Sequence, residues 1–446
     1  MSANNGDKAG VLKIFQNSIG LFSAVFLALI PAFLWFFTQS ISAKFTDFSS
    51  WLTSIGQITG LVGMAMISIN IVLSSRPVFL DRFFNGLNTL YRVHHYFGVI
   101  SFLLLLVHPL ILAGSYFTFS ATSAGLFLLP STDLARNFGI VAILTMMVIM
   151  SFTVFSKVKY QILKFIHGLI GITFVFGALH TFFVKSDISR NPFIHWYMLA
   201  LMALAAFVYS YKTLFGRFLV MKYEYLVKEV NILSDKIVEI VMSPVKNPIK
   251  YLPGQFVFVS FHGKLISSES HPYSISSIQP VRDLRILVKA LGDYTSKINN
   301  LSPGTRVKVE GPFGKLCYST IDNRNQIWIA GGIGIAPFLG MARNLKVEGD
   351  GYKIDLYYCT DDQKEIVFLN EFHALMADRP GFKFISFCQN KDGLIDVAKI
   401  MSISHSINDK DIFICGPPSM INSLRKQLLR IRVPKSQIHS EEFKLL

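Results

Sequence analysis

Residues 91–110 read YRVHHYFGVISFLLLLVHPL, and residues 164–182 read KFIHGLIGITFVFGALHTF. Each is apolar over about the 20 residues that a helix needs to cross a bilayer core. Each also carries a histidine near either end. His94 and His108 are 14 residues apart, and His167 and His180 are 13 apart. Such a separation is about 20 Å of helix, which places one imidazole near each membrane face on both helices.

Working outward, four more segments have this character, giving six predicted spans at about 20–38, 51–74, 92–114, 136–156, 161–184 and 194–214. The first lies too deep in the chain, and lacks a small-residue cleavage site, to read as a signal peptide. No glutamate precedes Glu224, and residues 1–215 hold only 13 Lys+Arg and five Asp. The remaining 30 Lys+Arg and 23 acidic residues fall in 216–446, an ordinary soluble composition. The formal charge of +15 is shared by the halves and needs no nucleic acid to explain it. With the N-terminus inside, Lys8, Lys13, Arg76, Arg82, Arg92, Lys157, Lys159, Lys164 and Lys212 are cytoplasmic; Lys44, Arg136, Lys185 and Arg190 are outside. This bias predicts a multi-pass protein with both termini cytoplasmic, which we expect in the plasma (inner) membrane. Cys317, Cys359, Cys388 and Cys415 are then scattered through a reducing compartment.

In a background so poor in charge, four histidines stand out. If the two helices run in the same direction, His94 faces His167 at one depth and His108 faces His180 at another. Two stacked pairs of imidazoles suit two hemes, each held by a histidine on both sides of the iron. The plainer alternative is polar side chains bonded to helix carbonyls. Zinc or a proton relay would need acidic partners that are missing here. His95 stands one position nearer to His108 than His94 does, and so falls off its face. His195 begins the last span without a partner. At about 100° per residue, the interval from His167 to His180 leaves the two on different faces, so the fifth helix should bend near Gly168, Gly171 or Gly177.

Beyond residue 218 the pattern becomes short β-rich runs broken by Gly and Pro, predicting an antiparallel barrel to about 318. Apolar strands then alternate with helical stretches, predicting a parallel α/β sheet. Leu252-Pro253-Gly254-Gln255-Phe256 is followed by His271-Pro272-Tyr273-Ser274-Ile275-Ser276-Ser277. Gly292-Asp293-Tyr294-Thr295 should open a helix whose free amides could hold a pyrophosphate. Gly311-Pro312-Phe313-Gly314 ends the first part, and Ala330-Gly331-Gly332-Ile333-Gly334-Ile335-Ala336-Pro337 follows the next strand. Cys415-Gly416-Pro417-Pro418 ends a later strand, and Glu442-Phe443 nearly closes the sequence.

In this order the motifs resemble the ferredoxin–NADP reductase superfamily. Joined to the membrane half, they resemble the prokaryotic type of the NADPH oxidase and ferric reductase transmembrane family. The resemblance covers roughly residues 20–446. It implies a cytoplasmic segment at 1–19, a six-helix transmembrane domain with two b-type hemes at 20–215, an FAD-binding β-barrel at 216–318 and an NAD(P)H-binding α/β domain at 319–446. His94 and His167 would hold the inner heme, and His108 and His180 the outer one. His271, Pro272, Tyr273, Ser274 and Ser276 would line the flavin, with Ser274 near its reactive nitrogen. Gly292, Asp293 and Thr295 would meet its pyrophosphate. Gly331, Gly332, Gly334, Pro337, Thr360, Cys415, Gly416 and Pro417 would seat NADPH or NADH, and Phe443 would stack on the flavin. Electrons would pass from nucleotide to FAD, inner heme and outer heme, then to O2 giving superoxide or to a ferric chelate.

Two departures matter. Thr360 is followed by Asp361 and Asp362 where NADPH-using relatives often carry an arginine, which favours NADH. Leu112 and Gln57 stand where superoxide-forming relatives carry cations near the outer heme. An electron relay to a periplasmic partner is the alternative of another class. The built-in electron source predicts activity without an obligatory activating subunit.

Overall fold

The computed structural model describes residues 5–38, 40–84, 86–155, 160–214, 222–263, 266–279, 282–348 and 351–441. Contacts divide the chain into two compact units, Asn17–Val220 and a second built on Met221–Leu446.

The first unit is helical: α1 (Asn5–Trp35), α2 (Phe48–Ser74), α3 (Leu87–Tyr116), α4 (Leu134–Phe155), α5 (Tyr160–Gly168), α6 (Ile170–Phe183) and α7 (Pro192–Tyr209). Among the described residues, five stretches are long and apolar enough to cross a membrane: Phe48–Ser74, Leu87–Tyr116, Leu134–Val154, Gln161–Phe183 and Pro192–Lys212. The segment expected as the first span, about 20–38, lies in α1, whose apolar stretch Ile19–Trp35 ends three residues before 38. It stops because the Trp35 carbonyl is taken by the Thr38 amide, the Thr38 hydroxyl (2.8 Å) and the Lys44 ammonium. A cation on a helix's last carbonyl is a favourable C-terminal cap.

Every residue of α2 from Leu61 to Ile71 is buried, as suits a helix apolar on all sides. An Asp47–Ser50 capping box starts it. α2 packs mainly on α3, and α4 on α6. The outer faces expose Phe26, Leu103, Val148, Phe165 and Phe207, side chains suited to lipid. Where the bend was expected, the α-helix is interrupted for one residue: α5 ends at Gly168, Leu169 forms a turn, and α6 begins at Ile170.

In the second unit, β1 (Tyr223–Ser234), β2 (Ile237–Pro244), β3 (Phe256–His262), β4 (Ser270–Ser274), β5 (Leu284–Lys289) and β6 (Arg306–Phe313) form an antiparallel sheet in the order β4-β3-β6-β1-β2-β5. A bridge between Ile275 and Ile286 joins its two edges, as a barrel requires. Next come β7 (Asn325–Gly331), α8 (Ile335–Glu348), β8 (Lys353–Thr360), α9 (Leu369–Asp378), β9 (Phe382–Cys388), α10 (Val397–Ser404), β10 (Asp411–Cys415), α11 (Pro418–Arg430) and β11 (Ile438–Glu441). The strands are all parallel, in the order β11-β10-β7-β8-β9. Trp328, Tyr358 and Phe413 fill one face of the sheet, and Ile327, Ile329, Ile412 and Ile414 the other. Burial on both faces explains the nearly continuous apolar strands.

Arg343 on α8 ties sheet to barrel. It donates to Glu239 on β2 (2.9 Å), to both carboxylate oxygens of Glu371 on α9 (2.8 and 3.0 Å) and to the Ser276 carbonyl (2.8 Å). Glu239 is almost fully buried and also accepts from Arg285 (3.1 Å). Asn344, the next residue, donates to the Ser277 carbonyl (3.1 Å) and accepts from the Gln279 amide (2.9 Å). The helix that follows the glycine-rich turn is therefore fastened to the chain leaving β4.

Candidate functional site

The membrane unit brings the four predicted histidines together in the expected pairs. His94 on α3 and His167 at the end of α5 have ring centres 6.2 Å apart, at 74° between planes. His108 on α3 and His180 on α6 have centres 6.4 Å apart, at 68°. Three of the four have Nδ1 against a helix carbonyl: His94 on Asn70 (3.2 Å), His108 on Gly56 (2.7 Å) and His180 on Ala135 (2.7 Å). The His167 Nδ1 is buried and has no partner among the described residues. A carbonyl only accepts, so those three Nδ1 atoms carry the proton and each Nε2 keeps a lone pair. This is the tautomer a metal ligand needs. Two imidazoles sharing one metal across bonds of about 2.0–2.1 Å, each ring centre about 1.1 Å behind its nitrogen, have centres about 6.3 Å apart. Both pairs match that spacing. Among the described residues no cluster of three or more His, Cys, Asp and Glu side chains forms.

At the N-terminal end of α2 lies a cavity of about 670 Å³, lined by Lys44, Asp47, Ser54, Gln57 and Arg190 among others. Gln57 follows Gly56, the residue whose carbonyl holds His108, and its amide oxygen accepts from the Trp35 indole (3.0 Å). Leu112 does pack against Gly56, as a non-cationic neighbour of the pair. The sequence places Lys44 and Arg190 on the outer side of the membrane and gives no sign that they meet. Nothing in their local spacing announces a shared cavity, because the segments that form it are far apart along the chain.

In the barrel, His271 to Ser274 lie on β4, paired with Val259 to Phe256 of β3. Pro272 is tolerated there because β4 is an edge strand. The His271 ring stacks on Tyr294 (centres 4.0 Å), and its Nε2 is 3.3 Å from Glu269. Tyr273, Ser274 and Ser276 are buried. The Tyr273 hydroxyl and the Ser276 hydroxyl are buried polar groups without a protein partner among the described residues. Burial, then the neighbouring Tyr294, pushes the Tyr273 phenol above its ordinary range. The helix expected after Gly292 is present as a 3₁₀ helix, Thr295–Asn300. The Thr295 hydroxyl already accepts from the Leu291 (2.9 Å) and Gly292 (3.0 Å) amides, so these are not free for a phosphate, and Asp293 caps the Tyr294 amide (2.9 Å).

In the sheet, β8 and β9 lie to one side of β7, and β10 and β11 to the other. Strand order thus reverses between β7 and β10, where the carboxyl ends of parallel strands leave a ligand crevice. Gly331, Gly332 and Gly334 leave β7 there, and Cys415, Gly416 and Pro417 leave β10. Gly332 takes a φ of +55°, in the left-handed region that favours glycine. A Cβ on Gly334 would strike the Cys415 carbonyl. Pro337 lies in the first turn of α8. Cys415 is fully buried, and burial, then Glu441, pushes its thiol up. Glu441 is itself buried beside Cys415 and Gly314, a placement the sequence reading missed because it depends on β10–β11 pairing. Thr360 ends β8 buried, its hydroxyl donating to the Asp362 carbonyl (2.9 Å), while Asp361 and Asp362 are exposed. Phe443 and Glu442 lie outside the described residues.

Residues 59–178 match the family described as ferric reductase like transmembrane component, 222–317 an FAD-binding domain and 328–426 an oxidoreductase NAD-binding domain. The ferredoxin reductase component of 3-ketosteroid-9-alpha-monooxygenase from Mycobacterium tuberculosis is 28% identical over 203 residues, 44% of this chain and 56% of that protein. The toluate 1,2-dioxygenase electron transfer component of Pseudomonas putida is 25% identical over 232 residues, covering 50% of this chain and 67% of that one. Among solved structures, the Amycolatopsis cytochrome P450 reductase GcoB is 22% identical with a TM-score of 0.45, over 50% of this chain and 70% of that one.

Proposed function

We propose that this electron-transfer oxidoreductase, with the domain set of the ferric reductase and NADPH oxidase-like family, oxidises a nicotinamide nucleotide on the cytoplasmic side of a membrane. Its electrons go to an acceptor on the outer side, O2 yielding superoxide. The observation that carries this reading is the two histidine pairs at 6.2 and 6.4 Å in a unit of apolar helices. A heme held between two such histidines would supply one-electron redox chemistry. His94 and His167 would hold the inner heme, and His108 and His180 the outer one. FAD, when bound, accepts a hydride and releases single electrons, which hemes carry one at a time.

The chain's own residues have simpler tasks. The carbonyls of Asn70, Gly56 and Ala135 orient the imidazoles. The buried apolar residues of α2 keep water and protons out of the space between the pairs. Tyr273, Ser274 and Ser276 offer buried hydroxyls to the flavin, and Thr360 closes the strand beside the nucleotide crevice. Asp361 and Asp362 would accept ribose hydroxyls and repel a 2′-phosphate, favouring NADH.

Ferric-chelate reduction is the second reading, favoured by the cavity that Gln57 lines, one residue from the Gly56 carbonyl that holds His108. A volume of about 670 Å³ with Lys44 and Arg190 in its wall suits a hydrophilic anion better than a diatomic gas. Anaerobic NADH should bleach the flavin and then reduce the Soret band of the purified chain. Adding O2 should then give superoxide-dismutase-sensitive cytochrome c reduction. Reoxidation by ferric citrate alone would select the second reading, and a preparation without a Soret band would sink both.

A further inference from the structure

The carbonyls that hold His108 and His180 belong to helices, where each carbonyl already accepts from the amide four residues later. The side chain at that later position stands beside the carbonyl on the same helix face, so an external donor reaches the carbonyl most readily where that residue is small. Four residues beyond Gly56 is Gly60, and four beyond Ala135 is Gly139. A Cβ on Gly60 would lie 2.6 Å from Cε1 and 2.7 Å from Nδ1 of His108. A Cβ on Gly139 would lie 2.9 Å from Nδ1 of His180. The same device thus occurs twice, on two different helices, for the two ligands of one pair. The other pair lacks it. Four residues beyond Asn70 is Ser74, and the His94 bond there is longer, 3.2 Å; His167 has no carbonyl partner among the described residues.

From this we infer that Gly60 and Gly139 are positioning residues for the His108/His180 pair, and that they make the two iron sites unequal. The inference rests on the two-heme reading above. An N–H···O=C bond to the far nitrogen fixes an imidazole's orientation and raises its basicity. A more basic ligand stabilises ferric over ferrous iron, so the His108/His180 site should have the lower midpoint potential. Neither glycine touches the metal position; each acts through the ring it lets in.

The test uses the full chain purified with its hemes. Wild type is measured first for heme per chain and by spectroelectrochemical titration. Two hemes with separate midpoints are expected, and fewer than two would refute the two-heme reading rather than this one. Gly60→Ala and Gly139→Ala should each affect one heme only. Either heme content falls by half, or the lower midpoint moves up towards the other while the higher one stays in place. Gly177→Ala is the control, because it lies on the His180 helix but its Cβ would meet only the Met64 side chain, with the sulfur at 3.5 Å, an ordinary contact; it should match wild type. Flavin content is read on every sample. Both hemes unperturbed in Gly60→Ala and Gly139→Ala, or both lost from chains that retain FAD, would overturn the inference.

Discussion

The membrane unit and the nucleotide sheet hold their proposed ligands with opposite materials. In the membrane unit the contacts come from side chains, four imidazoles rising from helices whose surroundings contain almost no other ionisable group. In the sheet they come from backbone, exposed at turns where Gly332 and Gly334 leave β7 and Gly416 leaves β10. A side-chain site fails when a donor atom is removed. A backbone site fails when an atom is added. That difference can be tested in one chain, because each kind of damage should leave the other site readable.

The largest effect is expected from His180→Leu. It should remove one heme and bring delivery to the outer acceptor down to background, while stopped-flow reduction of the flavin by NADH keeps its wild-type rate. Slowed flavin reduction would break the separation of the two regions. Arg343→Met should come next, because it leaves buried Glu239 without its principal cation. Losing one partner of a buried ion pair costs about 3–5 kcal/mol. Thermal release of FAD from the full chain should therefore begin at clearly lower temperature, with the heme spectrum unchanged. Gly334→Ala adds a methyl against the Cys415 carbonyl. Overpacking of that kind costs about 1–3 kcal/mol, or roughly a five- to 150-fold rise in KM for the nucleotide, with heme content intact. The smallest effect is expected from Asp361→Asn with Asp362→Asn. Loss of two exposed charges should raise the NADPH-to-NADH ratio of kcat/KM by about three- to tenfold, the scale of partly screened charges; an unchanged ratio would remove them from cofactor choice.

The same contrast governs what could be read before the structure was in hand. The pairing of His94 with His167 and of His108 with His180 was legible because spacing along a helix fixes depth, and little else competed for attention. Even the break at Leu169 was implied, since the interval from His167 to His180 does not return a straight helix to the same face. The sheet and its crevice were legible from glycine and proline at strand ends. What escaped notice depends on residues distant in sequence or on competition within a turn. Thr295 takes the amides that the Gly292 motif offered to a phosphate. Lys44 caps Trp35, ends α1 short of residue 38 and joins Arg190 at a cavity. Glu239 meets Arg343 across 104 positions. Such contacts are set by tertiary packing, which neither periodicity nor local motif encodes.

One pair of hydrogen bonds also limits how this membrane unit can change through mutation. Asn70 and Gly56 of α2 receive His94 and His108 of α3. The interval from Gly56 to Asn70 equals the interval from His94 to His108. α2 thus acts as a ruler for its antiparallel neighbour. A single-residue insertion between Gly56 and Asn70 would turn one carbonyl by about 100° and shift it by about 1.5 Å, leaving one histidine without its anchor. Length changes in these two helices can be accepted only together, so related chains should show insertions here as matched pairs or not at all.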